Sequence, residues 1–347
     1  MRIHGEHPRG RTHLWLRLTG LSELALLAPL LVLPAISVLS ADSEKLQVRR
    51  LEHNPIIRHE MLQGADGENI NGPSLIKVPE WITNRLGTYY LYFAHHSGRY
   101  IRLAYADQLD GPWKIYQPGV LPLEEATGCT GHVASPDVHV DAEHKMIRLY
   151  FHSPARDGTG QKSFVALSND GLHFKASEKP LGIFYFRVFR WEDEWYAMAK
   201  GGKLYRSTDG LSKFAEGPNP LPGGEMRSGD YNSPGPRHVA VLRMGPKLSI
   251  FYSNIGDAPE RIMHTTIFLA GDWKQWRASP PEEVLRPETA YEGANLPLHE
   301  SKAGAVKGRE NALRDPAIFV DEDAEAYLLY SVAGESGIAI AKLEKSN

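Results

Sequence analysis

Short apolar strands separated by polar turns recur along this chain, and few stretches keep the spacing of apolar residues that an amphipathic helix requires. Several segments share one grammar: a polar opening, a short apolar strand, a turn, an aromatic strand, then a third strand. The first copy runs from Gly72-Pro73-Ser74-Leu75-Ile76 through Tyr89-Tyr90-Leu91-Tyr92-Phe93 to Ile101-Arg102-Leu103-Ala104-Tyr105. The second opens at Ser135-Pro136-Asp137-Val138-His139 and continues through Ile147 to Phe151 and Phe164 to Ser168. The third opens at Phe186-Arg187-Val188-Phe189, the fourth at Pro236-Arg237-His238-Val239-Ala240 and the fifth at Asp315-Pro316-Ala317-Ile318-Phe319. Each copy has roughly 60 residues, room for a four-stranded sheet and a generous loop, which is the unit of a β-propeller. The pattern predicts an all-β, five-bladed β-propeller over residues 41–347, with inner strands near 73–78, 136–141, 186–190, 236–242 and 315–320.

The first 40 residues stand outside this pattern. Arg2, Arg9, Arg11 and Arg17 lead into an apolar run, Leu24 to Val38, interrupted by Pro29 and Pro34, and Val38-Leu39-Ser40 offers a cleavage point before Ala41. An apolar run of ~15 residues with two prolines is short for a ~30 Å hydrocarbon core. Residues 1–40 therefore read as a signal peptide rather than a membrane anchor, which predicts a secreted or periplasmic protein with no membrane attachment after cleavage.

Composition narrows the classes further. The 347 residues are 42% hydrophobic and 23% charged, which excludes disorder, collagen and coiled coil. With 39 Lys+Arg against 42 Asp+Glu the chain is a poor nucleic-acid binder. Cys129 is alone, so no intramolecular disulfide can form and stability must come from packing. There is no Gly-x-Ser-x-Gly elbow, P-loop or dinucleotide fingerprint, and Gly158-Thr159-Gly160 lies on a loop between strands. Two third strands run into Ser168-Asn169-Asp170-Gly171 and Ser207-Thr208-Asp209-Gly210. Their aspartates are expected to serve tight hairpins on the rim.

Ser135-Pro136-Asp137, Arg314-Asp315-Pro316 and the Ser-x-Asp-Gly-x-x-Phe turn from Ser168 to Phe174 make the chain resemble the five-bladed propeller glycoside hydrolases of the broad group around families 43, 32 and 117. The resemblance implies a central funnel in which acids near the starts of the inner strands act on a glycosidic bond. It also exposes departures. Family 43 opens its first blade with an Asp that serves as base, whereas this chain has Asn71-Gly72-Pro73-Ser74, and the family's acid Glu in the third blade is replaced by Tyr185-Phe186-Arg187.

The blade openings direct Asn71, Ser74, Asp137, His139, Arg187, Arg237, His238, Arg314 and Asp315 toward one axis. Glycoside hydrolysis needs two carboxyl groups, ~5–5.5 Å apart for retention or ~6.5–9.5 Å for inversion. Asp137 and Asp315 are the candidate funnel carboxylates. Glu292 and Glu310, on the long segment between blades four and five, are candidates for the acid, with Glu260 as a third option. Asn71, His95, His96, His139, Arg187, Arg237, His238 and Arg314 are candidate substrate-binding residues. The arginines point to an acidic or sulfated sugar unit if Asp137 and Asp315 neutralise only two of them. His132, Asp137 and His139 invite a metal, but without His-Glu-x-x-His or a cysteine pair no transition-metal site is expected. No cofactor is required, although the resemblance admits an axial calcium. A carbohydrate substrate is the expected partner, and the pattern fixes no oligomeric state. The alternatives to a hydrolase are a non-catalytic carbohydrate-binding propeller and a sugar phosphorylase.

Overall fold

A computed structural model describes residues 46–221 and 233–345. The proposed leader, residues 1–40, lies outside the described residues. Among those described, no helix is long and apolar enough to cross a membrane.

Five antiparallel sheets follow one another along the chain. The first blade orders Asn71–Lys77, Tyr89–Ala94, Tyr100–Ala106 and Lys114–Pro122 from the inside outward. The second orders Ala134–Asp141, Met146–Pro154, Gln161–Ser168 and Lys175–Ala176. The third has Arg187–Trp191, Glu194–Met198, Leu204–Ser207 and Ala215–Glu216. The fourth has Gly235–Met244, Lys247–Ile255, Ile262–Phe268 and Glu282–Leu285. The fifth has Arg314–Val320, Ala326–Ser331 and Gly337–Lys345, and takes its outer strand, Leu46–Arg50, from the other end of the chain. Leu46 faces Lys345 and Arg50 faces Ala341 in that closing pair. The repeat pattern anticipated the five inner strands, but not the strand that closes the ring.

Blades stacked face to face bury both surfaces of a sheet, so the middle strands read as unbroken apolar runs rather than alternations. All six residues of Tyr89–Ala94 are buried. Five hydrophobic clusters fill the five blade junctions. Tyr92 and Leu149 meet between blades one and two, and Phe93 with Phe319 between five and one. Tyr196 and Ile250 pack between three and four, Phe251 and Leu328 between four and five, and Tyr150 and Phe186 between two and three.

Polar contacts lock the same junctions. The hydroxyl of Tyr92 donates to the Gly171 carbonyl at 2.9 Å, and that of Tyr150 to the Gly210 carbonyl at 2.9 Å, so each Asp-Gly turn receives a tyrosine from the preceding blade. Inside each turn the aspartate accepts from the two backbone N–H groups that follow the glycine, at 2.8 and 2.9 Å in both cases. Burial opposes the charge on Asp170, yet hydrogen bonds from His173 and the backbone hold it down to about 2, and Asp209 likewise lies at about 2.

Candidate active site at the propeller axis

The inner strands of blades one, two, four and five open with a bulge, between Asn71 and Ser74, Ala134 and Asp137, Pro236 and Val239, and Arg314 and Ala317. These registers make Gly72, Ser135, Arg237 and Asp315 equivalent, with Tyr185 taking the corresponding place ahead of Arg187. Gly72, Ser135, Tyr185 and Asp315 have φ of 59°, 48°, 67° and 47°. Left-handed backbone is costly for a side-chain-bearing residue and collects at functional sites. Asp315 is the one carboxylate of the five.

A second ring comes from the connection between the second and third strands of each blade, at the same end. It contributes His96, Lys200, Glu260 and Glu335, and His152 joins them from near the end of the second strand of blade two. The two rings meet in a buried network. Nδ1 of His238 is in direct contact with Oδ1 of Asp315, whose Oδ2 accepts from the Ser331 hydroxyl at 3.3 Å. Glu335 accepts from the Asn69 amide and lies 3.5 Å from Arg314 and 3.9 Å from His96. The Tyr185 ring packs between His238, at 3.8 Å, and His152, at 4.5 Å.

The two carboxyl groups of this network are driven apart. Burial would raise Asp315, but His238, Arg237 and Arg314 hold it well below the usual carboxylate range. Burial and the charge of Asp315 push Glu335 up, against the pull of His96 and Arg314. Burial and Arg237 bring the Lys200 ammonium down to about 7, against Glu260 and Asp315. One carboxylate is thus kept ionised beside one biased toward its protonated form, the division of labour that acid–base hydrolysis requires.

Of the residues singled out from sequence, Asp315, His238, Arg237, Arg314, His96 and Asn71 come together here. Asn71 reaches Glu335 through Asn69, donating to its side-chain oxygen at 3.0 Å. Glu260 is fully buried and bridges Arg237 at 2.9 Å and Arg314 at 2.7 Å, while accepting from Ser253 at 2.7 Å. It is the counter-ion that the count of arginines left open. Glu310 stands at the rim, 3.5 Å from Arg314 and partly exposed. His95 sits in the first-blade loop, where its Nδ1 accepts from the Ser97 N–H at 2.9 Å.

Asp137 and Arg187 belong to a different device. Ser74, Asp137 and Arg187 share one register, and each grips the next inner strand. Ser74 accepts from the Val138 N–H at 2.9 Å, Asp137 from Val188 at 2.7 Å, and Arg187 Nε donates to the Val239 carbonyl at 3.2 Å. Asp137 also takes His139 at 2.8 Å. His139 lines a cleft of about 500 Å³ with Lys77, Phe319 and Glu322, residues toward the far ends of the inner strands. Glu292 is not brought to Asp315 at all. It is fully buried at the closure of the ring, bound to Arg50 at 2.7 Å, to the Tyr330 hydroxyl at 2.9 Å and to the backbone of Glu288 at 2.9 Å.

Among the described residues no group of three or more His, Cys, Asp or Glu is arranged to hold a metal ion. His132 packs on His152 at 5.4 Å, whereas His139 is bound to Asp137. Calcium needs six to eight oxygen ligands. At the axis, Nδ1 of His152 and Nε2 of His238 are buried and have no partner among the described residues.

Sequence reasoning missed Glu335, Lys200, Asn69 and His152. For His152 and Lys200 the available signal was a polar residue at the end of the aromatic strand, as in Phe151-His152-Ser153 and Ala199-Lys200, whereas Asn69 and Glu335 carried no such mark.

This architecture is that of the five-bladed propellers found among glycoside hydrolases. It resembles a thermostable family-43 enzyme with a TM-score of 0.52 and 16% identity, covering 80% of this chain and 89% of that one. A family-43 β-xylosidase/α-arabinofuranosidase from a compost microbial metagenome, in complex with xylotriose, gives 0.55 and 13%, covering 86% and 94%. An endo-arabinase from Bacteroides thetaiotaomicron gives 0.55 and 11%, covering 80% and 95%. At such identities the likeness is one of fold, and no family profile matches the chain. Over 329 residues it is 38% identical to Uncharacterized protein R118 of Acanthamoeba polyphaga mimivirus, covering 88% of this chain and 92% of that protein. The chain belongs to the family of that mimivirus protein.

Proposed function

We propose that this protein hydrolyses glycosidic bonds in a poly- or oligosaccharide at the axial network, with Asp315 as its ionised carboxylate and Glu335 as its proton donor. The observation that carries the reading is the meeting of Asp315, His238, Arg314 and Glu335 in one buried network, where the two carboxyl groups are displaced in opposite directions. The fold supports it, since a structural neighbour holds xylotriose. Acidic sugar units belong to the same proposal. Glu260 occupies Arg237 and Arg314, but Arg187 keeps a buried Nη2 without a partner among the described residues, a donor suited to a carboxylate. Export through residues 1–40 would place the reaction outside the cytoplasm.

The test is release of reducing sugar from a panel of neutral and acidic oligosaccharides. Turnover is expected from the unsubstituted protein and loss of roughly 100-fold or more in kcat from Glu335→Gln. A panel with no product overturns the hydrolase reading. One observation favours binding without hydrolysis: Gly72 offers no side chain where the fifth blade has Asp315. Retained glycan binding by a protein that releases no product would establish that second reading, and turnover that depends on added phosphate would establish a phosphorylase.

A further inference from the structure

We infer that residues 302–308 form a strap that shuts the axial network, and that the carbonyl groups of Lys302 and Gly304 hold, on Arg237 and Arg314, the places that oxygen atoms of a saccharide take when the strap swings aside. The inference rests on the hydrolase reading above and adds how the substrate gains entry. The network as it stands offers no entrance. Asp315, Glu335 and His238 are 1%, 4% and 7% exposed. A sugar ring cannot reach groups so enclosed unless a covering segment moves.

The covering segment is identified by its contacts. It runs from the connection between the second and third strands of blade four to the matching connection of blade five. At its start Ser301 is firmly held: its N–H donates to the Asp257 carbonyl at 2.9 Å and its hydroxyl to the Asn254 carbonyl at 3.0 Å, while the Gly256 N–H donates to its carbonyl at 3.0 Å. At its end Arg309 forms an antiparallel bridge with Gly334, and the Glu310 N–H donates to the Ala333 carbonyl at 3.1 Å. Between these anchors the chain lies on the two guanidinium groups. Arg237 donates to the Lys302 carbonyl and, at 3.4 Å, to that of Gly304, which also accepts from Arg314 at 3.5 Å.

The middle of the strap is weakly held. No backbone N–H from Lys302 to Gly308 has a partner among the described residues, and Val306 is the one buried residue of that stretch. It packs on Gly334, the neighbour of Glu335. Gly304 and Gly308 flank it, both at φ 85° with open space where a Cβ would stand, so the backbone can turn on either side of Val306 without steric cost. A segment with so few buried contacts and backbone bonds opens at small free-energy cost. Opening takes acceptors away from Arg237 and Arg314, which Glu260 keeps in place. Buried donors left bare are unfavourable, so the open form calls for a ligand with oxygen acceptors at the same positions. Hydroxyl or carboxylate oxygens of a saccharide meet that demand.

Two experiments on the full chain decide the matter. The first labels histidines with diethyl pyrocarbonate, locates the product by mass spectrometry and needs no substrate. Val306→Ala is expected to speed labelling of His238 by roughly 10-fold, with exposed His299 and buried His264 unchanged, so that the opening is local. The second locks the strap. A Cβ at Gly334 would stand 3.3 Å from that of Val306, close to the ~3.5–4.5 Å that a disulfide spans. The double variant Val306→Cys, Gly334→Cys is expected to lose turnover by roughly 100-fold when oxidised with glutathione disulfide, on any oligosaccharide that the unsubstituted protein cleaves, and to regain it with dithiothreitol. Equal labelling of His238 with and without Val306→Ala, or equal turnover by the oxidised and reduced double variant, overturns the strap and leaves the hydrolase reading standing. If the double variant does not fold, the labelling still decides. Absence of turnover by the unsubstituted protein overturns the hydrolase reading, and the labelling then tests the strap by itself.

Discussion

At the scale of single residues, the axial network holds its buried charges in opposite-sign pairs. Glu260 is the clearest instance, a fully buried carboxylate between two buried guanidinium groups. Removing one partner from such a set strands the others in a low-dielectric interior, at a cost of about 3–5 kcal/mol. Glu260→Ala is therefore expected to lower the free energy of unfolding by that amount in urea titration, and a neutral result would mean that water replaces the lost carboxylate. Gly171 makes a steric demand instead. Its φ is 73°, and a Cβ there would stand 2.8 Å from the Tyr92 hydroxyl oxygen. Gly171→Ala is expected to cost about 1–2 kcal/mol through left-handed strain alone, with further loss as the tyrosine is displaced. A melting temperature equal to that of the unsubstituted protein would refute it.

Elements carry the next level of organisation. A blade edge is tied to its neighbour through an Asp-Gly turn that takes a tyrosine hydroxyl, and the charge of the aspartate keeps the turn closed. The folded pKa of Asp170, about 2, lies below the unfolded value, so its stabilisation is complete above roughly pH 4 and is lost as pH falls toward 2. Asp170→Asn is expected to melt at lower temperature at pH 7 and to show a shallower fall in stability over that acid window; parallel curves for the two proteins would refute the assignment. These turns were legible in sequence because serine, aspartate, glycine and an aromatic residue sit at fixed offsets, each with a local task. The inner strands were legible because the openings repeat. The site was only half legible. Asp315 and His238 lie at those openings, whereas Glu335 lies in a connection between second and third strands where the polar residue falls at a different offset in each blade, so repetition does not mark it. Asp137 misled because Ser135-Pro136-Asp137 and Arg314-Asp315-Pro316 look alike but are offset. The register puts Asp315 level with Ser135, and Asp137 two residues deeper, where it staples blades together. Glu292 misled for another reason. Nothing local in Tyr291-Glu292-Gly293 announces that Arg50, far away along the chain, will claim it.

For the whole molecule, the decisive contact is the one between the first described strand and the last blade. Leu46–Arg50 covers the edge of Gly337–Lys345, and the pair formed by Arg50 and Glu292 fastens it. An uncovered strand edge of that length is a template for pairing with other chains. Deletion through Arg50 is expected to raise light scattering during thermal melting and to speed hydrogen exchange first in the fifth blade. Uniform exchange across all five blades would argue against a local closure. The same contact sets Leu46 directly opposite Lys345, so the polypeptide begins and finishes its circuit in one place. A short linker could splice those two positions, and new ends could then be cut between any two blades without parting neighbours around the ring. The order of blades is in that sense cyclic, and none of the five is first by its place in the ring.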